Sequence, residues 1–287
     1  MTGPERGTIT IRDVSDPRLA DYRDLRDADL RGARRLFTVE SFRVVRRFIR
    51  SGWPIESLLL EPEVATRLGE DLGRVPAEVP IYVAPEGSMR EISGYGFHGG
   101  ALALGRRDGR AEDTGWITGL LERPRLTILA AEGVVHVDNM GSLFRNAACL
   151  GADAVLLAPD CADPLLRKTI RISAGRIFSL PWSFLEPWEA TLDRLRREHR
   201  FRVIGLDTDP RSESIDAMKD ASRTILLLGG EGHGLRERTL RCCDQLCEIP
   251  VVSSDQDGDD ASLNVAVASA IALHERLRRL RSSDDLD

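Results

Sequence analysis

Three short segments hold the residues best suited to chemistry: Asn139-Met-Gly-Ser-Leu-Phe-Arg145-Asn146, then Gly229-Gly-Glu-Gly-His-Gly234, then Ser262-Leu-Asn264. Each is polar or glycine-rich and adjoins an apolar run that reads as strand or helix. α/β folds place ligands at such junctions, at strand ends and helix N-termini. A strand followed by Gly-x-x-Gly-x-Gly also suggests a dinucleotide or phosphate site. Two features oppose that reading: Glu231 inside the loop would repel a phosphate at a helix N-terminus, and no Lys-Ser/Thr pair follows as it would in a P-loop.

The elements that must position these segments are legible in outline. Apolar runs at Leu126–Ala131, Ala154–Leu157, Arg202–Leu206, Thr224–Leu228 and Leu246–Pro250 predict strands. A helix is expected at Leu143–Leu150, entered through a loop at Asn139, and a last one from Leu263 to about Arg281. Strands apolar on both faces, separated by helices, predict a parallel sheet covered on both sides. Small residues early in the last helix permit close approach to a neighbouring helix or a partner subunit.

Upstream, Val44, Val45, Phe48 and Ile49 recur at helical spacing, so one side of that helix is buried. Arg43, Arg46, Arg47 and Arg50 follow the same spacing and predict one exposed face, either simply solvated or contacting RNA phosphate. Ile55–Leu60 and Val79–Val83 read as strands, Val64–Leu72 as helix, and Gly94–Gly100 as a turn in which His98 is a loop residue. Helix and strand alternate as in a small α/β domain. The charged stretch Gly105–Thr114 is the linker candidate. The expected organisation is a first domain over 1–105, a connection over 106–123 and a second domain over 124–287.

Bulk properties exclude several classes. The chain of 287 residues can bury two cores, and no apolar run approaches the ~20 residues of a membrane helix. Five cysteines with no apolar leader predict reduced thiols in a cytoplasmic protein, and Cys242-Cys243-x-x-x-Cys247 finds no second Cys/His pair at zinc spacing, so no metal is expected. The net charge of −6 is uneven. Residues 1–110 carry 18 Arg against 17 acids, whereas the remainder has 22 basic against 29 acidic residues. Lys168 and Lys219 are the only lysines, and arginine is the better residue for bidentate phosphate contact.

Taken in order, Asn139-x-Gly141, Phe144-Arg145-Asn146-Ala147, Asp163-Pro164, Arg171-x-Ser173-x-Gly175, Gly229-x-Glu231-Gly232-x-Gly234-Leu235, Ile249-Pro250 and Ser262-Leu263-Asn264-Val265 resemble the SpoU family of the SPOUT superfamily, RNA ribose 2′-O-methyltransferases. Residues 124–287 resemble its catalytic domain and residues 17–105 its substrate-binding domain. The resemblance implies an α/β domain with a deep trefoil knot, a smaller N-terminal α/β RNA-binding domain, S-adenosylmethionine as cofactor, and a homodimer acting on rRNA or tRNA.

It also implies roles. The donor would lie against the backbone of Gly229, Gly230, Gly232 and Gly234, with Leu228, Ile249, Val251 and Leu263 facing the adenine. Arg145 would act at the ribose hydroxyl, with Asn139, Glu231, Ser262 and Asn264 completing the catalytic pocket, although Ser262 could simply be the N-cap of the last helix and Asn264 a residue of its first turn. A guanidinium makes a poor base, so stabilising the developing alkoxide and gripping the adjacent phosphate fits Arg145 better. Arg43, Arg46, Arg47, Arg50 and Arg171 would touch RNA, while Arg171 and Ser173 could equally tie a βα connection. This chain departs from the family pattern at His136-Val137-Asp138, at Gly230 where Asn is usual, and at Ser41 where Gly is common. A catalytically degenerate RNA-binding relative and a dinucleotide-dependent enzyme remain the alternatives.

Overall fold

The computed structural model describes residues 7–23, 34–94, 99–109, 113–219, 221–252 and 262–284. His98 and part of the expected linker lie outside the described residues. The chain divides into two compact units, one of residues 1–109 and 164–179, the other of residues 110–163 and 180–287.

In the first unit, strands β1 (Ile9–Thr10), β2 (Leu36–Glu40), β3 (Ile55–Leu60), β4 (Ile81–Val83) and β5 (Ala101–Arg106) form a mixed sheet in the order β1-β4-β3-β5-β2. Helices α1 (Phe42–Arg50), α2 (Pro62–Leu68) and α3 (Met89–Ser93) connect them. Leu36, Leu59, Leu102 and Leu104 pack on one side with Leu19, Tyr22 and Ile92. The buried stripe Val44, Val45, Phe48 and Ile49 of α1 is the one the spacing predicts. Residues beyond Leu68 tighten into a 3-10 turn over Gly69–Arg74, so the helix expected to reach Leu72 is shorter.

In the second unit, α4 (Gly115–Leu120) precedes β6 (Leu126–Ala131), α5 (Val137–Cys149) and β7 (Ala154–Leu157). Residues 113–123, expected to connect domains, pack instead on this unit's core: Trp116, Ile117, Leu120 and Leu121 lie against it, and Trp116 Nε1 donates to Ser183 Oγ at 2.8 Å. Between β7 and the next strand lies the segment 164–179, containing α6 (Arg167–Ile172), which belongs to the first unit. There Phe178 sits among Phe37, Phe48 and Trp53, with ring centroids 4.9–5.9 Å from its own.

The second unit continues through β8 (Trp182–Phe184), α7 (Trp188–His199), β9 (Arg202–Leu206), β10 (Glu213–Ser214), β11 (Arg223–Leu228), α8 (Glu237–Leu240), β12 (Gln245–Glu248) and α9 (Val265–Asp284). The seven strands form an all-parallel sheet in the order β10-β12-β9-β11-β6-β7-β8. Every residue of β6 and β7 is buried, as strands covered on both faces require. Helix α7 supplies Trp188, Leu192 and Leu195 to one side. Helices α5 and α9 pack together. Arg276 of α9 is 1% exposed, and its Nη2 donates to the Ala221 carbonyl at 2.5 Å. Burial pushes this guanidinium down to about 10.

Candidate active site

A cleft of about 600 Å³ opens at the C-terminal ends of β9, β11 and β12, the end where parallel sheets bind ligands. Leu228, Gly229, Gly230, Gly232, Gly234, Ile249, Val251 and Leu263 all line it, joined by Glu231, Ser262 and Asn264. Two of the glycines are needed for packing alone. A Cβ on Gly229 would overlap the Gly234 backbone, and one on Gly230 would lie 2.7 Å from the carbonyl carbon of Gly133. Gly232 has open space around it, and what it supplies is a φ of +84°. The lining carries Asp207, Glu231 and Glu248, and no arginine or lysine among the described residues.

Three distant segments converge beside this cleft. Asn139 donates through Nδ2 to Glu231 Oε1. Asn264 Nδ2 lies 3.0 Å from both Asn139 Oδ1 and Glu231 Oε1. The other carboxylate oxygen of Glu231 is 3.3 Å from His136 Nε2. Asn264 also accepts at Oδ1 from the backbone N–H groups of Ala266 (2.9 Å) and Val267 (3.4 Å), so Asn264 rather than Ser262 caps α9. One side chain therefore starts the helix and holds the network.

The helix carrying the first motif begins earlier than expected. Asn139 is in the first turn of α5, not in a loop ahead of Leu143. Seven residues make two helical turns, which puts Asn146 beneath Asn139 on one stripe. Asn146 Nδ2 donates to the Ala266 carbonyl at 2.7 Å and to Ser269 Oγ at 2.9 Å. Arg145 lies about 100° around the helix from that stripe. It is exposed, is not among the cleft-lining residues, and its side chain makes no ion pair or hydrogen bond among the described residues.

In the first unit the arginines do not share one exposed face. Arg43, Arg46 and Arg50 are exposed, but Arg47 is half-buried and donates to the Ala174 carbonyl. The i, i+4 step from Arg43 turns Arg47 toward the segment 164–179, which a reading of the helix alone does not include. Arg171 of that segment pairs at 3.2 Å with Glu40, a buried carboxylate. Ser173, its hydroxyl donating to the Ile170 carbonyl at 2.8 Å, is fully buried.

Sequence reasoning passed over three residues. His136, noted only as a departure from the family pattern, pairs with Glu231. Asp207 follows β9 and lines the cleft, and its Oδ2 accepts from the Leu235 N–H at 2.7 Å. Glu132, 1% exposed, follows β6 and accepts from the Arg236 N–H (2.6 Å), Thr239 Oγ1 (2.8 Å) and Trp188 Nε1 (2.9 Å). Asp207 and Glu132 thereby hold the chain as it leaves the glycine loop. An acid directly after a buried strand was the available signal for both.

Residues 126–274 match the family described as SpoU rRNA Methylase. An uncharacterized tRNA/rRNA methyltransferase of Mycobacterium bovis is 35% identical over 276 residues, 93% of this chain and 91% of its own. A 23S rRNA (guanosine-2′-O-)-methyltransferase RlmB of Bordetella pertussis is 32% identical over 183 residues, 63% of this chain and 71% of its own. The crystal structure of an rRNA methyltransferase from Sinorhizobium meliloti superposes with a TM-score of 0.76 at 22% identity, covering 95% of this chain and 98% of that one, and has also been solved with AdoMet bound. With the three motif segments gathered at one cleft and the family match spanning them, this chain belongs to the SpoU rRNA methylase family.

Proposed function

We propose that this protein transfers a methyl group from S-adenosylmethionine to a ribose 2′-hydroxyl of structured rRNA or tRNA. The observation that carries the reading is the convergence of Asn139, Glu231 and Asn264 beside the glycine-lined cleft. The guanosine-2′-O specificity in the name of the B. pertussis relative supports the 2′-O position. In this reading residues 124–287 are the methyltransferase domain, with the family's trefoil knot, and residues 1–105 the RNA-binding domain.

The cleft suits this donor. Sulfonium and ammonium groups give it positive charge, which the carboxylates of Asp207, Glu231 and Glu248 favour, whereas a dinucleotide's pyrophosphate would meet those same carboxylates unpaired. Bound there, the donor supplies an electrophilic methyl group. Leu228, Ile249, Val251 and Leu263 exclude water from its adenine. The glycine loop offers backbone groups, and Ser262, with the Asn139–Glu231–Asn264 network, fixes orientation.

Arg145 stabilises the alkoxide that develops as the ribose hydroxyl attacks and gives up its proton to water, and grips the neighbouring phosphate. Its place outside the cleft lining supports a shared site, with Arg145 from one subunit serving the donor held by a second copy. Val267 of α9, 48% exposed and outside the cleft lining, offers apolar surface for that homodimer. Calorimetric titration with S-adenosylmethionine, and separately with NAD and FAD, tests the reading. Micromolar donor binding, near −8 kcal/mol, followed by ribose methylation mapped in rRNA or tRNA, is expected. Binding of NAD or FAD without the methyl donor overturns it.

A further inference from the structure

The first unit contains a cavity of about 580 Å³ that the methyl-transfer reading does not use. Arg46 and Arg50 of α1, Arg67 of α2, and Asp71, Gly73 and Arg74 of the following turn line it. Asp71 is its pivot and is only 5% exposed. Its Oδ2 accepts from Arg46 Nε at 2.7 Å, and Arg50 Nε and Nη2 reach its two oxygens at 2.6 and 3.0 Å. Arg74 Nε stands 3.9 Å away. Burial pushes the Asp71 carboxyl up, but the hydrogen bonds from Arg50 and Arg46 outweigh it and hold the group below the ordinary carboxylate range.

One arginine suffices to neutralise a buried carboxylate, and here three surround it. Arg67 adds a fourth cation, its guanidinium 4.3 Å from the Phe42 ring centroid. Against these stand Asp71 and Glu70 in the lining and Glu63, which lies 3.8 Å from Arg67 at the edge of α2, so four guanidiniums face three carboxylates and the cavity keeps a positive surplus. The four side chains stay 44–65% exposed, accessible to a ligand. Arg46 is held through Nε alone, which leaves its terminal nitrogens for a bidentate contact. A guanidinium cluster pre-ordered by a buried acid has the chemistry of a phosphodiester site.

We propose that this cavity binds a backbone phosphate of the substrate RNA. The inference rests on the RNA-methylating reading and deepens it. The contact surface is not the linear α1 stripe but a cleft drawn from α1, α2 and the turn after it. Arg43 lies outside the cavity lining, and Arg47 is spent on Ala174.

Two variants test it without disturbing Asp71 or its two closest partners. Arg67→Ala/Arg74→Ala removes two exposed cations. Gly73→Glu places a carboxylate in the cleft, where a Cβ at Gly73 meets nothing within 4 Å and φ is unstrained. The probes are deproteinised bacterial rRNA and, separately, bulk tRNA, each titrated from 50 to 300 mM salt, with S-adenosylmethionine titrated in parallel. Arg12→Ala/Arg90→Ala, exposed residues of the same unit outside the cleft, removes equal charge. The cleft variants should bind RNA about ten- to fifty-fold more weakly at 0.1 M salt, with the slope of log K against log salt smaller by about 1.5 for the double variant. Donor affinity should not move, and the Arg12/Arg90 control should lose less than about threefold. Wild-type RNA affinity in the cleft variants, or an equal loss in the control, overturns the cleft while leaving the methyltransferase reading intact. No RNA binding by the wild-type protein overturns both.

Discussion

Asn264 does two jobs with two ends of one amide, and substitution can separate them. Its Oδ1 caps α9, and its Nδ2 holds Glu231 and Asn139. Ser at this position keeps a capping oxygen but loses both outward hydrogen bonds. At an exposed site each is worth about 0.5–1 kcal/mol, so Asn264→Ser should destabilise by about 1–2 kcal/mol. Asn264→Ala loses the cap as well, a further ~1 kcal/mol. Asn264→Asp keeps the cap but puts a carboxylate oxygen where Nδ2 stood, 3.0 Å from Glu231 Oε1. Unit charges at that distance repel by about 1.4 kcal/mol even with the dielectric of water, so this variant should be the least stable of the three or level with Ala at pH 7. Denaturant unfolding and donor titration at pH 7 read all three. If Asn264→Asp unfolds and binds donor like the wild type at pH 7, the network has no energetic content and the reasoning fails.

Arg145→Ala should abolish methyl transfer, measured with labelled donor, while donor affinity stays within about threefold because Arg145 is not part of the cleft lining; equal activity removes its assigned role. Gly230→Asn, which restores the residue usual in the family, sets a Cβ against the Gly133 carbonyl and should cost about 1–3 kcal/mol by overpacking, read as a lower melting temperature. Ser41 has φ +78° and ψ 148°, a region suited to glycine. Ser41→Gly should therefore stabilise the protein by about 1 kcal/mol, and a lower melting temperature counts against strain there.

The parallel sheet was legible because each of its central strands is apolar on both faces, and the cleft because the glycine loop follows β11 without a break. The start of α5 was not. Gly141 and Ser142 have weak helix preference, and only the packing of α5 against α9, with Asn146 tied to Ala266 and Ser269, overrides it. Pairings across the chain were equally hidden. Nothing local to Arg46 or Arg50 announces Asp71, and nothing near His136 announces Glu231, because a periodicity reports which side of a helix is buried and not what covers it. The segment 164–179 is the extreme case: its sequence neighbours lie in one unit and its contacts in the other.

That displacement bears on synthesis. The first unit's sheet is complete once Arg106 has left the ribosome, yet Phe178 joins Phe37, Phe48 and Trp53 only after another 72 residues. At translation rates of about 5–20 residues per second this is a delay of roughly 4–14 s. During it an aromatic face stays uncovered and Glu40 lacks Arg171. The amino-terminal half of this chain is thus finished by its second half, and the nascent protein passes through a stage when that face is open to chaperones or to other chains.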